Sequence, residues 1–204
     1  MQRFVEEAPE QLLPSGCSRL HWVSPVACDS FREYQDGMFL KKLGFERLAP
    51  ELETFWPKGG PVWDGLALTD GLPVLVEAKA HVSEFFSPPS RASEESLTRI
   101  KAAFAETQSA LSLIAPTDWT KVFYQYANRL AHLGFLHREG VKAHLLLVGF
   151  LHDAEMKGPV SAETWQALHR AADHALGLPL KHRLSPFVHL VTPSVRDLSS
   201  GVSP

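Results

Sequence analysis

The sequence predicts a mixed α/β fold in a single domain, and three patterns support this. Segments with apolar residues at helical spacing alternate along the chain with short apolar runs that are typical of strands. Asp70 and Gly71 separate two of these runs, and this dipeptide is the strongest short signal for a two-residue β-hairpin turn. A further run, VKAHLLLVGFL, is apolar at most positions, which indicates a strand buried on both faces.

The elements follow in chain order. Residues 1–28 contain three prolines and little periodicity, so we expect an irregular lead-in, and residues 193–204 are expected to form a frayed tail. The core is predicted over about residues 29–192. Its elements are a helix over residues 29–44, a short strand near 53–56, the hairpin over 61–81, helices over 94–114 and 119–136, a strand over 141–151, a helix over 161–178 and a strand over 187–193.

Composition excludes several classes of protein. The chain has 204 residues, 45% hydrophobic and 21% charged, as in one soluble globular domain. Two cysteines without metal-ligand spacing are too few for a zinc site or a disulfide framework, so a reducing cytoplasm is expected. No secretory signal and no membrane-spanning segment is expected. The net charge of −3 lacks the basic excess of a typical nucleic-acid-binding protein.

Charged residues interrupt the hairpin at positions where a buried strand tolerates few of them. Asp64 lies six residues before the turn and Glu77 six residues after it, so a two-residue hairpin places them opposite each other. Lys79 shares the face of Glu77 because side chains alternate along a strand. The same alternation places Leu66 and Leu75 on this face and Trp63 on the other. Two carboxylates thus meet in largely apolar surroundings.

Two facing carboxylates are destabilising unless a cation lies between them. Two carboxylates, a backbone carbonyl and waters form an oxygen-only ligand set that suits Mg²⁺ or Mn²⁺. Lys79 would then orient the attacking water and offset negative charge in the transition state. In the alternative interpretation, Asp64 and Glu77 are solvated charges of an edge strand and Lys79 is an ion-pair partner.

The order of an aspartate, a hairpin and then E-x-K resembles the PD-(D/E)XK nuclease superfamily, whose restriction-endonuclease-like fold has the core order αβββαβ. The segments YQYANRLAHL and VEAKAH are typical of a bacterial group within this superfamily. The resemblance implies that Asp64, Glu77 and the backbone carbonyl of Ala78 bind the metal and that Lys79 is the catalytic lysine. It also implies a helix-borne glutamate upstream, matched by Glu33. Trp63 replaces the proline that is common before the aspartate.

The helix over residues 119–136 carries a polar stripe formed by Lys121, Gln125, Asn128, Arg129 and His132. By resemblance, Gln125 joins the catalytic group, and Arg129, Asn128 and Lys121 bind the substrate phosphate. A solvated helix face is the alternative, and it is equally acceptable for Lys121 and His132. His81 near Lys79 is better explained as a surface residue.

These patterns predict a cytoplasmic, Mg²⁺-dependent nuclease that hydrolyses phosphodiester bonds of nucleic acid, with DNA preferred. No base-recognition module is evident, so any specificity would come from a homodimer, a partner or substrate shape. Two other hypotheses are a catalytically silent protein of the same fold that binds nucleic acid or a protein, and a structural protein without a site.

Overall fold

The computed structural model describes residues 1–198. Its α-helices are α1 (Gln2–Glu7), α2 (Asp36–Leu43), α3 (Ala49–Phe55), α4 (Val82–Phe85), α5 (Glu94–Ala110), α6 (Tyr124–Arg138) and α7 (Ala162–Leu176). Its strands are β1 (His21–Ser24), β2 (Gly65–Thr69), β3 (Leu72–Lys79), β4 (His144–Gly149) and β5 (Val188–Val191). Within this described part, no helix is long and apolar enough to cross a membrane.

The five strands form one mixed sheet in the order β1-β2-β3-β4-β5. The pairs β1–β2 and β2–β3 are antiparallel, while β3–β4 and β4–β5 are parallel. Parallel neighbours need long crossover connections, and helices α4 to α6 form the connection between β3 and β4. The chain is therefore α/β, as the sequence predicts.

The predicted strand near residues 53–56 is wrong. Residues up to Phe55 belong to α3, and the third antiparallel strand is β1, which comes from the segment expected to be irregular. The strand next to β2 thus precedes the helices α2 and α3 instead of following them. The core order αβββαβ is not reproduced in that form.

Both faces of the sheet are covered, which explains the apolar character of its strands. Leu66, Leu75, Leu145 and Leu147 face a large cluster with α2, α3, α5, α6 and α7. The opposite face packs against the N-terminal segment, with Phe4 and Leu12 in its cluster. Trp63 belongs to the first cluster, not to the face predicted for it.

Several element boundaries differ from the prediction. Helix α2 begins at Asp36 instead of residue 29, and the Asp29 side chain accepts hydrogen bonds from Tyr34 and Lys42. Helix α6 begins only at Tyr124, after Phe123 in the left-handed conformation. The predicted tail is structured in part. Ser194 forms an isolated β-bridge with Leu151, and the following residues, Val195–Asp197, form a 3-10 helix. The rest of that tail, residues 199–204, lies outside the described residues.

Gly149 lets a helix approach the sheet closely. It pairs with Lys79 across the parallel strands β3 and β4. A Cβ atom at this position would lie 2.5 Å from carbon atoms of the Trp165 indole, which is fully buried on α7. The absence of a side chain therefore allows Trp165 to rest directly on the strand next to Lys79.

Candidate active site

The hairpin has the predicted register near its turn. Leu66 pairs with Leu75 and Gly65 with Val76, and both turn residues, Asp70 and Gly71, have positive φ. A type I′ turn requires this left-handed conformation at both central positions. The register that places Asp64 and Glu77 near each other is therefore confirmed up to Gly65.

The regular pairing ends at Gly65, the residue that follows Asp64. The backbone N–H of Asp64 donates to the carbonyl of Val76 at 3.1 Å, and its carboxylate accepts the N–H of Ala78 at 2.7 Å. The Asp64 side chain thus accepts a hydrogen bond that a strand carbonyl would otherwise accept, at the point where β2 begins. This break also explains why Trp63 packs beside Leu66 on the first face, against Phe39 and His132.

A cavity of about 350 Å³ opens at this end of the hairpin. Seven of the predicted site residues line it, namely Glu33, Asp64, Glu77, Lys79, Gln125, Asn128 and Arg129. The remaining wall comes from Tyr124 and residues 59–62, which the sequence analysis did not assign to the site. Asp36 fixes that loop by accepting the N–H groups of Gly59 and Gly60 at 3.2 and 2.9 Å.

Glu77 is buried, with 6% of its surface exposed, and two cations neutralise it. The ammonium of Lys79 lies 2.5 Å from Oε1. The guanidinium of Arg129 binds Oε2 through two nitrogens, at 2.5 and 2.6 Å. A buried carboxylate requires such positively charged partners. The sequence analysis predicts a metal ion as the cation beside Glu77, whereas in the structure Arg129 supplies this positive charge. Hairpin geometry alone did not reveal this partner, which lies on a distant helix.

The Arg129 guanidinium belongs to a buried hydrogen-bond network and is not free to bind a phosphate in this structure. Its side chain also donates to Asn128 Oδ1 at 2.7 Å and to the Val62 carbonyl at 3.0 Å, and its guanidinium lies 4.9 Å from the centre of the Trp63 ring. Asn128, which is 5% exposed, serves as one acceptor in this network. Both residues are therefore positioned to organise Glu77.

Asp64 differs from Glu77 because no cation is bonded to it in the described part of the chain. Burial and the nearby charge of Glu77 raise the pKa of Asp64 to about 6. The N–H of Ala78 and the charges of Lys79 and Arg129 act in the opposite direction but do not compensate. Asp64 is thus the group in this cavity that would gain most from an additional cation.

The other predicted residues fall into distinct positions. Glu33 lines the cavity but precedes α2 in a non-helical segment, so its assignment to a helix is wrong. Gln125 lies in the first turn of α6, and its backbone N–H donates to Ser87 Oγ. The carbonyl of Ala78 points to the side of Asp64, because the N–H and C=O of one strand residue share a direction.

Lys121 and His132 do not join the site. Lys121 precedes α6, its side chain is 69% exposed, and its nearest carboxylate is that of Asp118 at 3.9 Å. His132 is 1% exposed among Phe39, Phe55, Trp56 and Trp63, and burial lowers its pKa to about 3. The predicted polar stripe is therefore not one solvated surface, and His132 is a neutral core residue.

A second, larger cavity of about 690 Å³ adjoins the first one and shares Glu33 and Asp64 with it. Glu84, Asp153 and Glu155 also line it. Within residues 1–198, no group of three or more His, Cys, Asp or Glu side chains is arranged to hold a metal ion. Only a site with fewer such side chains, completed by backbone oxygens and waters, is compatible with this arrangement.

Comparison of the chain with protein-family models, with curated proteins and with solved structures gave no match. The resemblance to PD-(D/E)XK nucleases consequently depends on the residues and the geometry described above.

Proposed function

We propose that the chain is a metal-dependent nuclease that hydrolyses phosphodiester bonds of nucleic acid, with DNA as the preferred substrate. The observation that carries the proposal is the convergence of Asp64, Glu77, Lys79 and Gln125 on one cavity, where no cation within residues 1–198 is hydrogen-bonded to Asp64 and the pKa of Asp64 is raised. The mixed sheet, with three antiparallel strands followed by parallel ones, supports a relationship to the restriction-endonuclease-like fold.

The residues fit Mg²⁺ or Mn²⁺, which take oxygen ligands from few protein groups and complete their shell with water and phosphate. Asp64, Glu77 and the Ala78 carbonyl would hold the ion. Its binding would return the pKa of Asp64 toward the ordinary range, since a nearby cation favours the carboxylate. When bound, the ion supplies Lewis-acid stabilisation of charge on a phosphate oxygen and makes water more acidic.

The protein side chains then have separate roles. Lys79 would hold the attacking water and offset negative charge on the phosphorus centre, because Lys79 lines the same cavity as the carboxylates. Gln125 orients water or a phosphate oxygen from the first turn of α6. Arg129 acts through Glu77, whose carboxylate it fixes with two hydrogen bonds.

A second candidate is a catalytically silent protein of the same fold that binds nucleic acid or another protein. The ion pairs of Glu77 favour it, because Lys79 and Arg129 already satisfy both carboxylate oxygens. The net charge of −3 favours it as well. This candidate predicts binding to a partner without Mg²⁺-dependent cleavage.

Cleavage assays separate the two candidates. Wild type, Lys79→Ala and Asp64→Asn would be incubated with Mg²⁺ or Mn²⁺ and end-labelled single- and double-stranded DNA and RNA. We expect cleavage by the wild type and a loss of about a hundredfold or more in Lys79→Ala, the usual cost of removing one stabilising donor. Lys142→Ala is the matched control, because Lys142 is exposed and precedes β4 at the opposite end of the sheet.

Calorimetric titration of the same proteins with Mg²⁺ and Mn²⁺ completes the test. We expect the wild type and Lys142→Ala to bind the ion and Asp64→Asn to lose most of this binding. A folded wild type that neither binds the ions nor cleaves any of the four substrates would overturn the proposal. Nucleic-acid binding without cleavage would support the silent alternative.

A further inference from the structure

A small cavity of about 20 Å³ lies behind the candidate active site. Glu77, Lys79 and Gln125 line both this rear cavity and the main one, so they form the wall between the two. The rest of the rear cavity is largely apolar, with Phe85, Tyr126, Leu147, Val148 and Trp165 in its lining. Its volume is sufficient for roughly one water-sized group.

His169 of α7 is the other polar residue of this lining. Its Nδ1 atom is buried and has no hydrogen-bond partner among residues 1–198. The ring packs edge-on against Phe85 at 4.6 Å and lies 5.5 Å from Tyr126, measured between ring centres. Burial lowers the pKa of His169 to about 4, so the imidazole is neutral and one of its nitrogens is an acceptor. A buried polar atom without a partner is rare and calls for an explanation.

Lys79 is a candidate for that partner, because it lines the same cavity. Its ammonium has three donors and is carried on a flexible stem, and one donor is bonded to Glu77 Oε1 at 2.5 Å. A metal ion on Glu77 would compete for this carboxylate oxygen. A displaced ammonium needs another acceptor, because it is largely buried, with 18% of the side chain exposed. His169 lines the same cavity, and its Nδ1 has no other hydrogen-bond partner among residues 1–198.

We propose that His169 is a positioning residue for Lys79: its Nδ1 accepts a hydrogen bond from the Lys79 ammonium, across the rear cavity, when Glu77 is taken by a cation. One donor of Lys79 is thereby fixed, and the other two remain available to the main cavity. The inference rests on the proposed function for its purpose, but the hydrogen bond itself can be detected without metal and without activity.

The first test uses metal-free protein. The double variant Glu77→Met, Arg129→Met removes Glu77 together with Arg129, so that Lys79 is the member of this ion-pair group left without its carboxylate partner. We expect the ¹⁵N resonance of His169 Nδ1 to move from the value of a free acceptor toward that of a hydrogen-bonded one. Adding Lys79→Met should reverse the change. A resonance that is the same with and without Lys79, or a protonated Nδ1, would overturn the proposal.

The second test is a double-mutant cycle on Mg²⁺ affinity, measured by calorimetry, and it applies even if the first variant does not fold. His169→Phe should weaken binding about tenfold in the wild type, as expected for loss of a hydrogen bond to a charged group, and should have no effect in Lys79→Met. His169→Asn keeps an acceptor near Nδ1 and should restore most of the affinity.

Tyr126→Phe is the matched control, because it alters the same cavity wall without removing an acceptor used by Lys79. Its effect should be equal in both Lys79 backgrounds. An equal effect of His169→Phe in both backgrounds would show a merely structural role and overturn the inference. If the wild type binds no Mg²⁺, the proposed function fails, and the metal-free resonance measurement still decides whether the hydrogen bond forms.

Discussion

The two ends of the β2–β3 hairpin are stabilised by different interactions. At the turn, Asp70 and Gly71 are exposed, both have positive φ, and every residue pairs in the regular register. At the open end, the side chain of Asp64 replaces a backbone carbonyl and Glu77 is surrounded by ion pairs. Backbone conformational preference therefore determines the structure of the closed end. At the open end, where the candidate site lies, the contacts of buried charged side chains determine the structure.

The largest expected effect is at the open end. Arg129→Met leaves Glu77 buried with only Lys79 as a partner, and breaking a buried ion pair in this way costs about 3–5 kcal/mol. Urea denaturation should show this loss in the free energy of unfolding. The double variant Glu77→Met, Arg129→Met should recover part of this loss, because the buried carboxylate is removed and only Lys79 then lacks its partner. A loss below about 1 kcal/mol for Arg129→Met would show that the open end does not depend on this ion pair.

Asp64→Asn should give an intermediate effect that depends on pH. The folded protein raises the pKa of Asp64 from 3.8 to about 6, so ionisation of this group opposes folding. The free energy of unfolding is therefore not reduced by Asp64 below pH 3.8, and it decreases as the pH rises from 3.8 through about 6. The amide cannot ionise, and we expect Asp64→Asn to be more stable than the wild type by on the order of 2 kcal/mol at pH 8, but only slightly at pH 4.

Thermal unfolding at the two pH values measures this difference. Mg²⁺ should stabilise the wild type at pH 8 and leave Asp64→Asn unchanged, because only the carboxylate gains from the ion. Asp70→Asn at the turn is the control, since an exposed aspartate in the left-handed conformation tolerates asparagine. A pH-independent difference between Asp64→Asn and the wild type would contradict the raised pKa.

The smallest expected effect is at the closed end. Gly71 has a φ of +78°, and a Cβ atom there would meet nothing within 4 Å, so the cost of Gly71→Ala is conformational. A left-handed non-glycine residue costs roughly 1–2 kcal/mol. Chemical denaturation should show a loss of this size at every pH and no change in Mg²⁺ affinity. Weakened metal binding would indicate that the two ends are coupled.

The same contrast explains which features could be predicted. The turn, the strand register up to Gly65, the buried strand β4 and helix α7 follow from local preferences, and all were predicted correctly. Strand β1 was missed because it has only four residues and two prolines in its surroundings, so its pairing with β2 decides its conformation.

Most residues of the candidate site were predicted, but the hydrogen bonds and ion pairs between them were not. Residue spacing brought Asp64, Glu77 and Lys79 together, and the resemblance added Glu33, Gln125, Asn128 and Arg129. Spacing on a helix cannot distinguish a solvated polar stripe from buried polar groups, so the ion pair between Arg129 and Glu77 and the burial of His132 were not foreseen. The aromatic residues around His132, contributed by three separate segments, were the only signal, and it becomes visible only in the folded chain.

The contact between Gly149 and Trp165 extends the vulnerable region beyond the charged residues. Any side chain at position 149 would push the indole away from β4, and that indole is also a wall of the rear cavity next to Lys79. In a saturation mutagenesis screen, position 149 should therefore reject even alanine, although Gly149 carries no functional group. A ranking of positions by side-chain chemistry alone would overlook Gly149, whereas a screen for loss of folded protein would detect it.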